Sequence, residues 1–291
     1  MYLHTKMSDM HIVTGFVGGI NSRKDRDLAK YVSLGKELLS VEIATTCFLE
    51  KGVWTEFVLP FITSPIREEA EFVYVCKGGV MDGMRSVFRY VVCGHVRFVF
   101  FEREQLFLWP YQALASAFSL HTGNPEKDTL GYMMVQCQKV EWMNIATCLT
   151  PHLLNEYVWI DFGSFHMFHG SVDRFQGGLC KLRERICERV SREGRGGAVV
   201  RMAGCWQPYV HRPGDIYRDI NWTFAGSLFG GGGDAIREFA CRMREKCFRI
   251  LREKNHLMWE INVWVLIFLD CPDLFSWFRS DHSPILFDGY H

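Results

Sequence analysis

The run from Leu130 to Asp161 constrains the fold more than any other part of the chain. "LGYMMVQCQKVEWMNIATCL", Leu130 to Leu149, has the length and residue types of a helix. It gives way to "YVWID", an aromatic and β-branched run that predicts a strand ending at Asp161. A helix delivered straight into a buried strand is the closing half of a parallel crossover. Asp161 is therefore expected at the carboxyl edge of a sheet, where open α/β folds bind ligands. A lone carboxylate inside a strand is costly to bury. One at the strand's exit serves a ligand or is simply a surface acid, and the residues alone leave both open.

The rest of the chain continues the alternation. "HIVTGFV", His11 to Val17, reads as a first buried strand closing on Gly18-Gly19. Asp25 to Leu39 sets Leu28, Tyr31, Val32, Gly35, Leu38 and Leu39 at helical spacing. Ile43 to Glu50 and His95 to Glu102 are further strand candidates, and Arg67 to Gly78, rich in glutamate, reads as weakly helical. The economical architecture is a doubly wound, largely parallel sheet. Downstream lie a basic helical stretch, Asp173 to Arg195, with a solvated face or an anion-binding one, and two further strands in "GGAVVRMAGCW" and "INWTFAGSLFGGGG". A long helix follows, with Ile236, Phe239, Ala240, Met243, Cys247, Phe248 and Leu251 on one face and Asp234 as its N-cap behind a four-glycine turn. No repeat or linker divides the chain, so one domain is expected over 1–291.

Composition excludes several classes. With 48% apolar and 14% aromatic residues in 291, the chain can fill a substantial core. Its 33 basic residues balance 33 acidic ones, so no global field calls for nucleic acid or an anionic membrane. Eleven cysteines at irregular spacings, with no C-x-x-C pair, suit a reducing compartment in which thiols act as small hydrophobes. The N-terminus has no apolar signal core, and the longest apolar run, Ile261 to Leu269, is too short to span a bilayer. A cytoplasmic protein with no transmembrane segment is expected.

Motifs narrow the chemistry further. No G-x-S-x-G elbow is present, since "AGSLFG" has the wrong glycine spacing, and no G-K-[ST] follows a glycine-rich turn. His166 and His169 form an H-x-x-H beside Asp161 but lack the remaining ligands of a zinc site. "FGGGGDAIREF", Phe229 to Phe239, offers backbone amides at a helix start for a phosphate or a sugar, or is a plain loop before a helix. Glu260, between Trp259 and an apolar helix, is either a first-turn acid facing water or a carboxylate in a half-buried pocket.

"NPEKDTLGYMMVQCQKVEWM" (Asn124 to Met143), "YVWIDFG", "FAGSLFGGG" (Phe224 to Gly232), "MWEINVWV" (Met258 to Val265) and "SPILFDGY" (Ser283 to Tyr290), in this order, resemble the bacterial HtrL/YibB proteins. "IVTGFV" resembles that family's first strand, so the likeness spans nearly the whole chain. The family is glycosyltransferase-like, with members associated with surface polysaccharides and relatives in large DNA viruses. The wider resemblance is to GT-A glycosyltransferases, and it implies a Rossmann-like, mostly parallel sheet flanked by helices. A nucleotide-sugar-binding half, 1–165, would precede an acceptor-binding half, 166–291.

The resemblance also implies roles. Asp161 would be the strand-end acid that grips a divalent cation, Mn²⁺ or Mg²⁺, and the diphosphate of a UDP- or GDP-sugar. Thr14, Gly15 and Phe16 would meet the nucleoside, and the turn from Gly226 to Gly232 would lie beside the donor sugar, with Gly163, Gly230 and Gly231 at the donor. Glu260 would be the carboxylate at the reacting centre, and Trp259 would lie against a carbohydrate acceptor. Asp161-Phe162-Gly163 has glycine where a full D-x-D has its second acid. A cation would then rely on Asp161, the diphosphate, water and a histidine or Asp288; alternatively, Lys139 or Arg201 neutralises the diphosphate directly. The rival class is a catalytically inactive sugar- or nucleotide-binding module.

Overall fold

The computed structural model describes residues 10–20, 28–78, 81–150, 156–193, 198–207 and 214–290. Its opening elements are β1 (Met10–Phe16), α1 (Leu28–Leu39), β2 (Thr45–Glu50) and a single turn α2 (Lys51–Val53). β3 (Ile66–Val75), β4 (Arg85–Cys93) and β5 (Val96–Phe101) follow, then α3 (Leu130–Leu149) and β6 (Glu156–Ile160). The remainder is α4 (Val172–Glu193), β7 (Val200–Gly204), β8 (Leu228–Gly232), α5 (Gly233–Lys254), α6 (Glu260–Asp270) and β9 (Phe275–Arg279). Part of the expected first helix, 25–27, lies outside the described residues.

The nine strands among the described residues form one sheet in the order β3-β4-β5-β2-β1-β6-β8-β7-β9. β1 pairs in parallel with β2 and β6, as do β2 with β5 and β7 with β9. The pairs β3–β4, β4–β5, β6–β8 and β7–β8 are antiparallel. The sheet is therefore mixed, and the expectation of a largely parallel one is corrected. Two segments cause the change. Arg67 to Gly78, read as weakly helical, is mostly strand β3, because its charges are satisfied across the hairpin: Arg89 pairs with Glu71 at 2.9 Å, and the Tyr90 hydroxyl donates to Glu68 at 2.6 Å. The four-glycine turn is also strand: Gly230 to Gly232 run inside β8, between β6 and β7. The N-cap of α5 is Gly232, while Asp234 sits in the first turn and pairs with Arg237.

Side chains of β1 and β6 alternate between two buried layers. Val13, Tyr157 and Trp159 join α3, α5 and α6 on one face, while Met10, Ile12, Val158 and Ile160 meet α4 on the other. Burial on both faces is why these strands read as continuous apolar runs. α3 matches its expected span and is enclosed on nearly all sides. Its polar residues must then find partners. Gln138 accepts from the Phe107 amide at 2.9 Å, and Asn144 donates to the Tyr74 hydroxyl at 2.7 Å. That hydroxyl donates to Glu141 at 2.6 Å, and Glu141 is neutralised by buried Arg244 of α5.

From β1 the chain passes to β2 on one side, and it later returns through α3 to β6 on the other. A crevice opens at such a reversal, outside the strands' carboxyl ends. The β6–β8 register puts Leu228 opposite Ile160 and Gly232 opposite Glu156, so residues just before β8 share the crevice edge while its glycines recede from it.

Candidate functional site

The crevice is a cavity of about 610 Å³ at the carboxyl ends of β1 and β6. Aromatic rings dominate its wall, among them Phe16, Tyr31, Tyr132, Trp159, Trp222 and Trp259. Apolar faces carrying polar edges suit a ligand with both a ring and hydroxyl groups.

Two carboxylates and one ammonium form the floor. Phe162 packs into a buried cluster with Val32 and Leu49 and stacks on Phe16, ring centroids 5.3 Å apart. That anchor leaves the preceding Asp161 half-buried on the cavity wall. Glu260 opens α6 and is only 5% exposed. Lys139, from the middle of α3, reaches between them: its Nζ lies 2.9 Å from Asp161 Oδ1 and 3.0 Å from Glu260 Oε1. The same Nζ donates to the Gly226 carbonyl at 3.1 Å. An ammonium has three protons, and these three acceptors take them all. Asp161 Oδ1 also accepts from Trp159 Nε1 at 2.7 Å.

Burial alone lowers the Lys139 pKa, but the charges of Asp161 and Glu260 and their hydrogen bonds outweigh it, so the net shift is upward and the residue stays charged. Counted formally, two carboxylates and one ammonium give the trio one net negative charge. The Tyr132 phenol is pushed well above its ordinary pKa by burial, then by Glu260 and Asp161, and stays neutral. Gly226 allows the close approach: a Cβ there would lie 2.3 Å from Glu260 Oε1.

The cavity brings together Gly15, Phe16, Lys139, Asp161, Gly163, His166, Trp259 and Glu260 from among the residues singled out by sequence. Thr14 is fully buried in β1 and off the cavity wall. Gly230 and Gly231 also lie off it: a Cβ on Gly230 would meet the Tyr290 hydroxyl at 2.3 Å, and one on Gly231 the Val199 carbonyl at 2.8 Å. Arg201 is buried beside Glu156 and Glu193, at the other end of β6, and does not face the cavity. Asp288 lies 3.8 Å from Arg185, and His169 ends a short 3₁₀ turn in a left-handed conformation. Lys139 is on the wall, yet it spends its protons on the floor and has none left for a diphosphate.

Lys127, Tyr132, Trp159, Trp222 and His282 line the wall without having been expected there, whereas Gly226 and Ser227 come from the turn expected beside the donor. Lys127 and Tyr132 stand within "NPEKDTLGYMM", and Trp159 lies two residues before Asp161, where strand alternation puts both on one face. Nothing local marks Trp222 or His282.

Among the described residues no three His, Cys, Asp or Glu side chains converge as a metal-binding group. Asp161 shares one oxygen with Lys139 and Trp159, and His166 Nδ1 is engaged by the Gly163 carbonyl at 2.6 Å. This donor set does not fit a protein-held divalent cation, which ordinarily takes several oxygen ligands. All eleven cysteines are free thiols, and none lines the cavity. No described helix is long and apolar enough to cross a membrane. Comparison of the chain with protein-family models and with curated proteins finds no match.

Proposed function

We propose that the protein is a glycosyltransferase moving a sugar from a nucleoside diphosphate sugar, UDP- or GDP-linked, onto a carbohydrate acceptor. The observation that carries this reading is the Asp161–Lys139–Glu260 trio on the floor of an aromatic cavity at the reversal point of the sheet. Transfer of a glycosyl group passes through an oxocarbenium-like centre, which negative side chains stabilise. A trio with one net negative charge supplies that field, and Lys139 holds both carboxylates in place without cancelling them. Glu260, which Lys139 contacts through Oε1, has Oε2 to accept the acceptor hydroxyl's proton. Trp259 and Trp222 offer faces for sugar rings, and Gly15 and Phe16 stand where a nucleoside would enter.

The test incubates the full chain with a panel of nucleotide sugars, with and without Mn²⁺, and follows release of nucleoside diphosphate. Turnover that Asp161→Asn lowers at least tenfold, without loss of fold, supports the reading. Tight binding with no release of product by any donor would instead favour an inactive binding module, the reading that Gly163 in place of a second acid suggests.

A further inference from the structure

We infer that Lys127 is the residue that receives the anionic group of the ligand, and that this ligand therefore lies with its negative end at Lys127 and its reacting carbon at the carboxylates. The inference rests on the donor reading for the identity of the anion, but not for the existence of the site.

Only four formally charged side chains line the cavity among the described residues: Lys127, Lys139, Asp161 and Glu260. Lys139 is excluded as the anion's partner, because Asp161, Glu260 and the Gly226 carbonyl take its three protons. With its charge more than offset, the floor of the cavity repels a phosphate rather than attracting it. Lys127 is the opposite case. Its ammonium forms no ion pair with a described carboxylate and lies over the Tyr132 ring, 5.1 Å from the centroid. An aromatic face attracts a cation without giving its protons a hydrogen-bond acceptor such as a carboxylate. His282 is also on the wall.

The turn that carries Lys127 is built rather than loose. The Lys127 amide donates to Asn124 Oδ1 at 3.2 Å and to its carbonyl at 3.1 Å. The neighbouring Asp128 is buried and accepts from the Thr122 hydroxyl and from Trp259 Nε1. Thr129 caps α3 and donates to the Ile20 carbonyl at 2.7 Å, tying the turn to the loop after β1. The cavity thus carries the Lys127 ammonium on a structured turn of its wall and a floor with more negative than positive charge, and this asymmetry orients a ligand that carries both a phosphate and an electrophilic carbon.

Calorimetric titration of the full chain with UDP, GDP and inorganic pyrophosphate, in EDTA and again with Mn²⁺, tests this on wild type, Lys127→Gln and Lys127→Arg. In EDTA at least one probe is expected to bind wild type. Lys127→Gln should weaken it about ten- to hundredfold, the loss of one charge-assisted contact, and Lys127→Arg should restore most of it. Uridine and guanosine, which carry no phosphate, should bind all three chains alike. Pyrophosphate binding that depends on Lys127, with neither nucleotide binding more tightly, would keep the inference and remove the nucleotide-sugar reading. Equal affinity of wild type and Lys127→Gln, binding only with Mn²⁺ and indifferent to residue 127, or no binding of any probe would overturn it.

Discussion

Glu260 is where the proposed chemistry rests on one side chain. It is buried, and Lys139 holds one of its oxygens. Glu260→Gln keeps shape and hydrogen-bonding reach but neither takes a proton nor stabilises positive charge. Transfer should fall by about 10² to 10⁴-fold, while calorimetry with the nucleoside diphosphate shows near-normal binding. Near-normal transfer by the Gln variant would make Glu260 structural. Gly226 tests the same geometry from the other side. The Cβ of Gly226→Ala would stand 2.3 Å from Glu260 Oε1, so either the carboxylate or the backbone must shift. The expected result is a loss of transfer at least as large as a tenfold drop, on the order of 1 to 3 kcal/mol of overpacking, in a chain that still folds. Unchanged kinetics would show that Glu260 does not need its observed position.

At the scale of elements, the site depends on a segment with no regular structure. Residues 214–222 carry Ile220 and Trp222 to the cavity wall. They are held by fully buried Asn262, in the first turn of α6. Its Nδ2 donates to the Ile216 carbonyl at 2.7 Å and the Asp219 carbonyl at 2.8 Å, and its Oδ1 accepts from the Asn221 amide at 2.8 Å. Asn262→Ala removes all three bonds and leaves their partners to water or unpaired, at about 1 to 3 kcal/mol for a buried group. Hydrogen exchange should speed up in 214–222 while α5 keeps its protection; unchanged exchange in the segment would mean that other contacts hold it. Element type was readable in the sequence where periodicity was strong: α3 was found end to end, and β1 and β6 to within a residue or two. It failed at β3, where glutamates mimic a helical start although the alternation of Phe72 and Tyr74 with Val73 and Val75 marks a strand, and at β8, where glycines suggest a turn. In both cases tertiary partners decided: Arg89 and Tyr90 satisfy β3, while Tyr290 fills the space beside Gly230 and the Val199 carbonyl that beside Gly231 in β8.

For the whole molecule, one source of acid sensitivity lies at the centre of the sheet. His11 of β1 is buried beside Thr46 and Tyr157, and burial, then the charge of Arg97, lowers its pKa to about 3. The unfolded chain binds a proton below about pH 6.5 that the folded chain refuses. Stability from this group is therefore fully present above that pH and drains away as pH falls toward 3, at about 1.4 kcal/mol per pH unit. Denaturant unfolding between pH 6.5 and 4.5 should show a slope shallower by nearly one proton in His11→Gln than in wild type, and parallel curves would sink the assignment. The positions of Asp161 at a strand exit and Glu260 at a helix start were settled by the sequence, because alternation and helical spacing are properties of consecutive residues. The meeting of the two was not. Lys139 lies 121 residues from Glu260 and 87 from Gly226 in the chain, and no local pattern states which acceptors will take its protons. That choice belongs to the packing of α3 against β6 and α6, where a buried ammonium must find partners for every proton or not be buried at all.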